Sequence, residues 1–318
     1  MKLLLIMPIF HGFDKSIRKI LEINYDRVFF FSELPYSSNT KFHFLRRFSK
    51  SLAEKELVRF NYKVLNFVIR NKIERIFIIR GYGLNESFLK GITSQSWNIE
   101  IFHYQWDSFI NNPNALLISQ YTKHNFTFDL VDTSYNSRFK HLPLFYSWEG
   151  IIKNENTIQD IDILFIGGYH SGRHLFVNKI EKLCLKLGLN FFSYIYLSPY
   201  VYIGDKLSEN KIEKRNIHFA KISRQLYHNY LNRSKIILDI HSPSQSGATM
   251  RTIEALSLYK KVLSTNQSLK NELFYSEDNI TIIDDGEIQI EKILGKPFDH
   301  TLDKYILSIE QWLYKIGL

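Results

Sequence analysis

Ten short runs rich in apolar and β-branched residues, none longer than eight residues, alternate along this 318-residue chain with longer amphipathic segments. The first five are LLLIMPI (3–9), RVFFFS (27–32), RIFIIRG (75–81), EIFHYQ (100–105) and FTFDLV (126–131). After the extended stretch HLPLFYSWEGIIKNENTIQD the alternation restarts with IDILFIGG (161–168), NFFSYIYL (190–197), KIILDIH (235–241), KKVLSTN (260–266) and NITIID (279–284). Strands buried on both faces read as continuous apolar runs, and parallel neighbours need a crossover of a dozen or so residues between them. The pattern therefore predicts α/β architecture built from βαβ units. The length suits two domains, and the interruption near 147–160 divides the chain into doubly wound halves at 1–150 and 151–318. The final segment TLDKYILSIEQWLYKIGL is amphipathic and able to pack back on the N-terminal half.

A single cysteine, Cys184, excludes an internal disulfide and a thiolate metal cluster. The opening MKLLLIMPIF has no small-residue cleavage site after it and reads as a first strand, and no run approaches the roughly 20 apolar residues of a membrane span. The expectation is a cytoplasmic protein, soluble or peripheral on the inner face of the cytoplasmic membrane. Net charge is +9 and lies mainly in the first half: residues 1–150 hold 20 Lys and Arg against 13 Asp and Glu, residues 151–318 hold 21 against 19. The excess centres on residues 41–75, ten basic and three acidic, interleaved with Phe42, Phe44, Phe48, Leu52, Val58 and Phe60. Arg46, Arg47 and Lys50 mark its middle. Such a basic amphipathic segment suits an anionic membrane surface, or a solvated helix whose aromatics reach the core. No nucleic-acid module accompanies the charge, so nucleic acid is not an expected partner.

Open parallel sheets bind ligands beyond the carboxyl ends of their strands, and three clusters lie there. In FIGGYHSGRH, Gly167 and Gly168 end a strand and Arg173 opens a helix; glycines let backbone approach a phosphate, and a helix start offers N–H donors. In HSPSQSGATMRTIEAL, Gly247 and Thr249 precede a helix carrying Arg251 and Glu254 three residues apart, on one face. That pair is either an intrahelical ion pair or a device meeting phosphate with one member and a ribose diol with the other. In IFHYQWDSFINNP, Asp107 and His103 compete as a general base toward an acceptor hydroxyl, with an N-capping role as the bland alternative for Asp107. His11 and Asp14 form a similar, weaker group. Lys221, beside Phe219, is a further contact for a nucleotide. The acidic pair Asp160 and Asp162 precedes a strand instead of following one, so no metal site is expected from it.

Taken in order, HYQWDS, FTFDLVDTSYNSRFKHLPLFYS, DILFIGGYHSGRH, LDIHSPSQSGATMRTIEAL and KKVLSTN resemble bacterial glycosyltransferases of the GT-B fold, in the spore-maturation CgeB-type branch and its lipopolysaccharide and capsule relatives. The resemblance implies two facing Rossmann-like domains, an acceptor-side one at 1–150 and a donor-binding one at 151–318. It implies a nucleotide-sugar donor, with Glu254 on the ribose, Gly247 beneath the diphosphate, and Arg251 and Arg173 neutralising phosphate. Many retaining relatives carry a second Glu eight positions before the Glu254 equivalent. Ser246 stands there, so inverting transfer without a metal or other cofactor is expected. The acceptor implied is a lipid-linked or lipopolysaccharide saccharide. A nucleotide-sugar epimerase on the same fold, or a non-catalytic nucleotide- or sugar-binding protein, stays open beside it.

Overall fold

The computed structural model describes residues 1–36, 39–147, 157–169, 172–199, 202, 216–283, 288 and 290–318. Residues 148–156 of the predicted junction at 147–160, and His170 and Ser171 of the glycine-rich cluster, lie outside the described residues. The chain forms two compact units, Met1–Ser147 with Ile306–Leu318, and Trp148–Tyr305.

In the first unit, strands β1 (Lys2–Met7), β2 (Arg27–Ser32), β3 (Arg75–Ile79), β4 (Glu100–Gln105), β5 (His124–Thr127) and β6 (Phe139–His141) form one sheet in the order β2-β1-β3-β4-β5-β6. Every pairing is parallel, with Leu4 opposite Phe29 on one side and Ile76 on the other. Helices α1 (Phe13–Asn24), α2 (Asn39–Phe48), α3 (Lys50–Asn71), α4 (Glu86–Thr93), α5 (Asn114–Ile118) and α6 (Leu130–Tyr135) fill the connections. Successive strand residues face opposite sides. Leu4, Ile6, Ile76 and Ile78 accordingly share a core with Val64 and Val68 of α3 and Phe88, Leu89 and Ile92 of α4. Phe77 instead meets Trp312.

In the second unit, β7 (Ile161–Gly168), β8 (Phe191–Tyr196), β9 (Ile217–His218), β10 (Ser234–Asp239), β11 (Lys261–Ser264) and β12 (Ile280–Ile282) are again all parallel, in the order β12-β11-β10-β7-β8-β9. With them come α7 (Arg173–Lys186), α8 (Arg224–Arg233), α9 (Met250–Ser257) and α10 (Ile290–Gly295). Ile163 and Phe165, Val177 and Ile180 of α7, and Ile236 and Leu238 of β10 make the centre of its core. The last helix, α11 (Ile309–Ile316), belongs to the first unit: Trp312 packs on Phe77, Tyr104 and Phe145, with ring centroids 5.7, 4.7 and 4.3 Å away.

Where elements depart from expectation, a side-chain cap or the local backbone conformation is the reason. The basic amphipathic segment at 41–75 forms two helices, because Ser49 is extended and its hydroxyl accepts the Leu52 N–H, capping α3. Strand β5 stops at Thr127, short of 131, because Asp129 caps α6 by accepting the Val131 N–H at 3.0 Å. Strand β3 stops at Ile79 because Arg80 and Gly81 take φ of 67° and 71°. Ser223 caps α8 by accepting the Leu226 N–H at 3.2 Å.

Candidate functional site

The parallel sheet of the second unit reverses its strand order at β7, which pairs with β8 on one side and β10 on the other. At such a switch point the loops leaving the two strands diverge and open a crevice. The two glycine-containing clusters of this half leave from those strands. Side by side, they converge on one guanidinium. Arg251, on α9, donates from Nε to the Ile166 carbonyl at 2.9 Å, lies 5.2 Å from the Phe165 ring, and is paired with Asp239 at the end of β10. A Cβ built on Gly167 would stand 3.1 Å from Arg251 Nη2 and 3.0 Å from the Phe165 ring edge, so glycine is what lets the strand end pass that close.

Asp239 is fully buried and also accepts the hydroxyls of Thr249 at 3.0 Å and Thr252 at 2.9 Å. Thr249 therefore does two jobs, since it also caps α9 through the Thr252 N–H. Asn266 holds the turn before that helix by donating to the carbonyls of Ser246 at 2.9 Å and Gly247 at 3.2 Å. Arg173, buried at the start of α7, donates to the Gly168 carbonyl at 3.4 Å. Burial, and then the charge of Arg251, push its pKa down to about 10, with Asp239 pulling the other way. Burial also pushes His241 down, with Asp239 and Arg173 acting on it in opposite senses. Two guanidinium groups and a glycine pair thus gather around one carboxylate, beside a 14-residue helix whose first turn has no side-chain cap. An anion arriving there would relieve the repulsion between the cations and accept N–H groups of the helix start.

Glu254 lies one turn further along α9 and is not paired with Arg251. It is buried, and its Oε2 accepts the Tyr227 hydroxyl of α8 at 2.7 Å. Burial raises both groups: Glu254 above its ordinary value, against the pull of the tyrosine hydrogen bond, and Tyr227 well above its own. Lys221 is exposed beyond β9, its Nζ 5.8 Å from the Tyr196 ring at the end of β8. Of the predicted donor residues, Gly167, Gly168, Arg173, Thr249 and Arg251 are thus brought together. Gly247 sits in the turn behind them, Glu254 is on the same helix, and Lys221 lies beyond the end of β9.

In the first unit Asp107 follows β4 and is half-buried, its Oδ1 accepting the Ser108 N–H and the Asn111 amide at 2.9 Å. It caps no helix. His103 has no exposed surface; its Nδ1 is 3.2 Å from Asn125 Oδ1, and burial pushes its pKa down to about 4. It is a neutral core histidine at pH 7, without access to a substrate hydroxyl, which leaves Asp107 as the base candidate of that pair. Two neighbours of Asp107 escaped the sequence reading. Asp132 accepts the Phe109 N–H at 3.1 Å, and burial, then the charge of Asp129, push it up to about 7. Arg80, partly buried, pairs with the fully buried Glu33, and the Asp107 charge partly offsets the burial that lowers it. Asp14 is buried on α1, and His11 adopts a φ of 48° against Phe10.

Asp160 and Asp162 are spent on Arg233 and, at 2.7 Å, Lys235. Among the described residues no three of His, Cys, Asp and Glu gather as a metal-binding group. No described helix is long and apolar enough to cross a membrane. Arg46 bonds the Tyr82 hydroxyl, while Arg47 and Lys50 are exposed.

Of the missed residues, Asp239 left a signal in the sequence and Tyr227 did not. Asp239 is a carboxylate inside an apolar strand, and buried carboxylates need partners. Tyr227 gave none, because its partner lies 27 residues away.

Two parallel, doubly wound Rossmann-like units in one chain are the plan of the GT-B fold, and solved structures share it along the whole length. The sucrose-phosphate synthase of Thermosynechococcus elongatus matches with a TM-score of 0.59 at 10% identity, over 100% of this chain and 92% of its own. The UDP-GlcNAc 2-epimerase of Neisseria meningitidis, solved with UDP-GlcNAc, gives 0.58 at 13%, over 100% and 98%. That of Methanocaldococcus jannaschii, solved with UDP-GlcNAc and UDP, gives 0.55 at 13%, over 100% and 99%. No family model and no curated protein sequence matches the chain.

Proposed function

We propose that this protein is a nucleotide-sugar enzyme whose second unit holds the donor. The observation that carries the reading is the convergence of Gly167, Gly168, Arg173 and Arg251 where β7 and β10 diverge. There the diphosphate meets the start of α7 and the guanidinium groups, and Glu254 accepts from the ribose hydroxyls. Arg251 contributes from a fixed position, since Asp239 and the Ile166 carbonyl hold it before any ligand arrives.

Two reactions fit such a donor site. Epimerisation of the donor sugar is favoured by the full-length likeness to the two epimerases. It requires acid and base groups at the sugar and no acceptor. Inverting, metal-independent transfer to a lipid-linked lipopolysaccharide or capsule saccharide is favoured by the basic surface of the first unit, with Asp107 deprotonating the acceptor hydroxyl. The likeness to the epimerases gives the first of these the stronger support.

Thermal denaturation against UDP, dTDP, GDP, CMP and ADP tests the donor site. A ligand at about 100 times its dissociation constant adds roughly 2.7 kcal/mol, or about 5–10 °C for a unit of this size. One nucleotide should stabilise the protein, and Glu254→Gln, which preserves the Tyr227 hydrogen bond, should weaken that effect. Stabilisation by none, or an unaltered response in the variant, removes the site. The sugar of the winning nucleotide then separates the reactions. A new stereoisomer formed without acceptor, carrying deuterium from D2O, marks epimerisation, whereas nucleoside diphosphate released only with a saccharide acceptor marks transfer, and a chelator leaves either rate unchanged.

A further inference from the structure

The pair α2 and α3 carries eight basic residues against two acidic ones, and it exposes apolar side chains that the core does not use. On α2, Phe44 and Phe48 are one turn apart, 65% and 71% exposed, with ring centroids 4.5 Å from each other. On α3, Val58, Tyr62 and Ile69 recur at helical spacing along one stripe, opposite the buried stripe of Phe60, Val64 and Val68. Val58 and Tyr62 are 60% and 67% exposed. Lys55, Arg59, Lys63 and Arg70 form the adjoining stripe, each within one or two turns of the next and all exposed. Of the acidic residues, Glu56 is tied to Arg59 at 2.8 Å, which leaves Glu54 alone to oppose the field.

We propose that this face docks the protein on an anionic phospholipid bilayer, the aromatic pair entering the headgroup boundary and the basic stripe lying over the lipid phosphates. Charge complementarity selects this occupant. A surface strongly positive and interleaved with exposed Phe, Val and Tyr meets both demands of an interface that is anionic outside and apolar just beneath. A polyanion without an apolar layer would engage the lysines and arginines alone. The proposal does not rest on which reaction the enzyme performs.

The test is co-sedimentation of the full chain with phosphatidylcholine vesicles, with and without about 30% phosphatidylglycerol, at 0.1 M salt, where charge screening acts over roughly 10 Å. Binding to the anionic vesicles only is expected, largely released at 0.5 M salt. Lys55→Glu with Lys63→Glu should weaken it by at least about tenfold, given the contribution of each cation near the surface. Phe44→Ser with Phe48→Ser should weaken it by a similar factor while leaving any nucleotide-induced stabilisation intact. All four side chains are exposed, and the pairs are read separately, so misfolding of one leaves the other informative. Equal binding to both vesicle types, or no effect of either pair, overturns the proposal. So does retention on single-stranded RNA that responds to the lysine pair and ignores the phenylalanine pair. Failure of the vesicle test with a retained nucleotide response would count against this surface and leave the donor site standing.

Discussion

At the scale of single residues, environment decides what an ionisable group is for. Asp132, just after β5, is pushed up to about 7, because burial and the Asp129 charge penalise its ionised form. A carboxyl with a raised folded-state pKa binds more protons folded than unfolded between pH 4 and 7. Its contribution to stability is therefore complete below about pH 4 and is lost as pH rises through about 7. Asp132→Asn should flatten that slope and make the protein about 1–2 kcal/mol more stable than the parent at pH 8, read from urea unfolding at pH 5 and pH 8. A parallel pH dependence in both proteins would refute the assignment. His103 illustrates the converse: the complete burial of its imidazole on β4 keeps it neutral at pH 7 and inaccessible to a substrate.

At the scale of elements, the ends of the strands were harder to read than the strands. The loop after β3 packs so closely that a Cβ on Gly83 would lie 2.3 Å from the Glu33 carbonyl oxygen and 2.9 Å from Leu34. The amide of Asn61 on α3 donates to the Gly83 carbonyl at 2.8 Å, so the loop is bolted to that helix as well. Gly83→Ala should cost about 1–3 kcal/mol, the usual penalty for forcing volume into a packed site, measured by urea denaturation. A neutral effect would mean that the loop has room to shift. The same short-range chemistry explains Ser49 and Asp129, each of which ends one element and begins another through a single side-chain acceptor. Those residues are visible as capping types in the sequence, but which candidate actually caps depends on where the preceding element stops packing.

At the scale of the whole molecule, the chain returns to its first unit after building the second. Trp312 is fully buried against Phe77, Tyr104 and Phe145, which makes the final helix part of that unit's core. Trp312→Ala should destabilise the first unit by about 3–5 kcal/mol, the cost of a large buried aromatic. Hydrogen exchange locates the loss: amide protection at Phe77 and Tyr104 should fall, with Ile163 and Leu238 in the separate core of the second unit retaining theirs. Equal loss at all four would show that the two cores unfold as one.

Local pattern was enough to determine the α/β class, the division into two doubly wound halves, most strand positions and the glycine-bearing clusters, because period and turn chemistry are written in neighbouring residues. Tertiary structure alone decided that β7 and β10 are neighbours and that Arg251 therefore reaches Ile166 and Asp239. It likewise decided that Glu254 answers to Tyr227, that Asp132 titrates high, and that α11 closes the first core. Each of these depends on contacts between residues far apart in the chain, and on the burial that such contacts create. Neither has a signature in the order of the residues themselves.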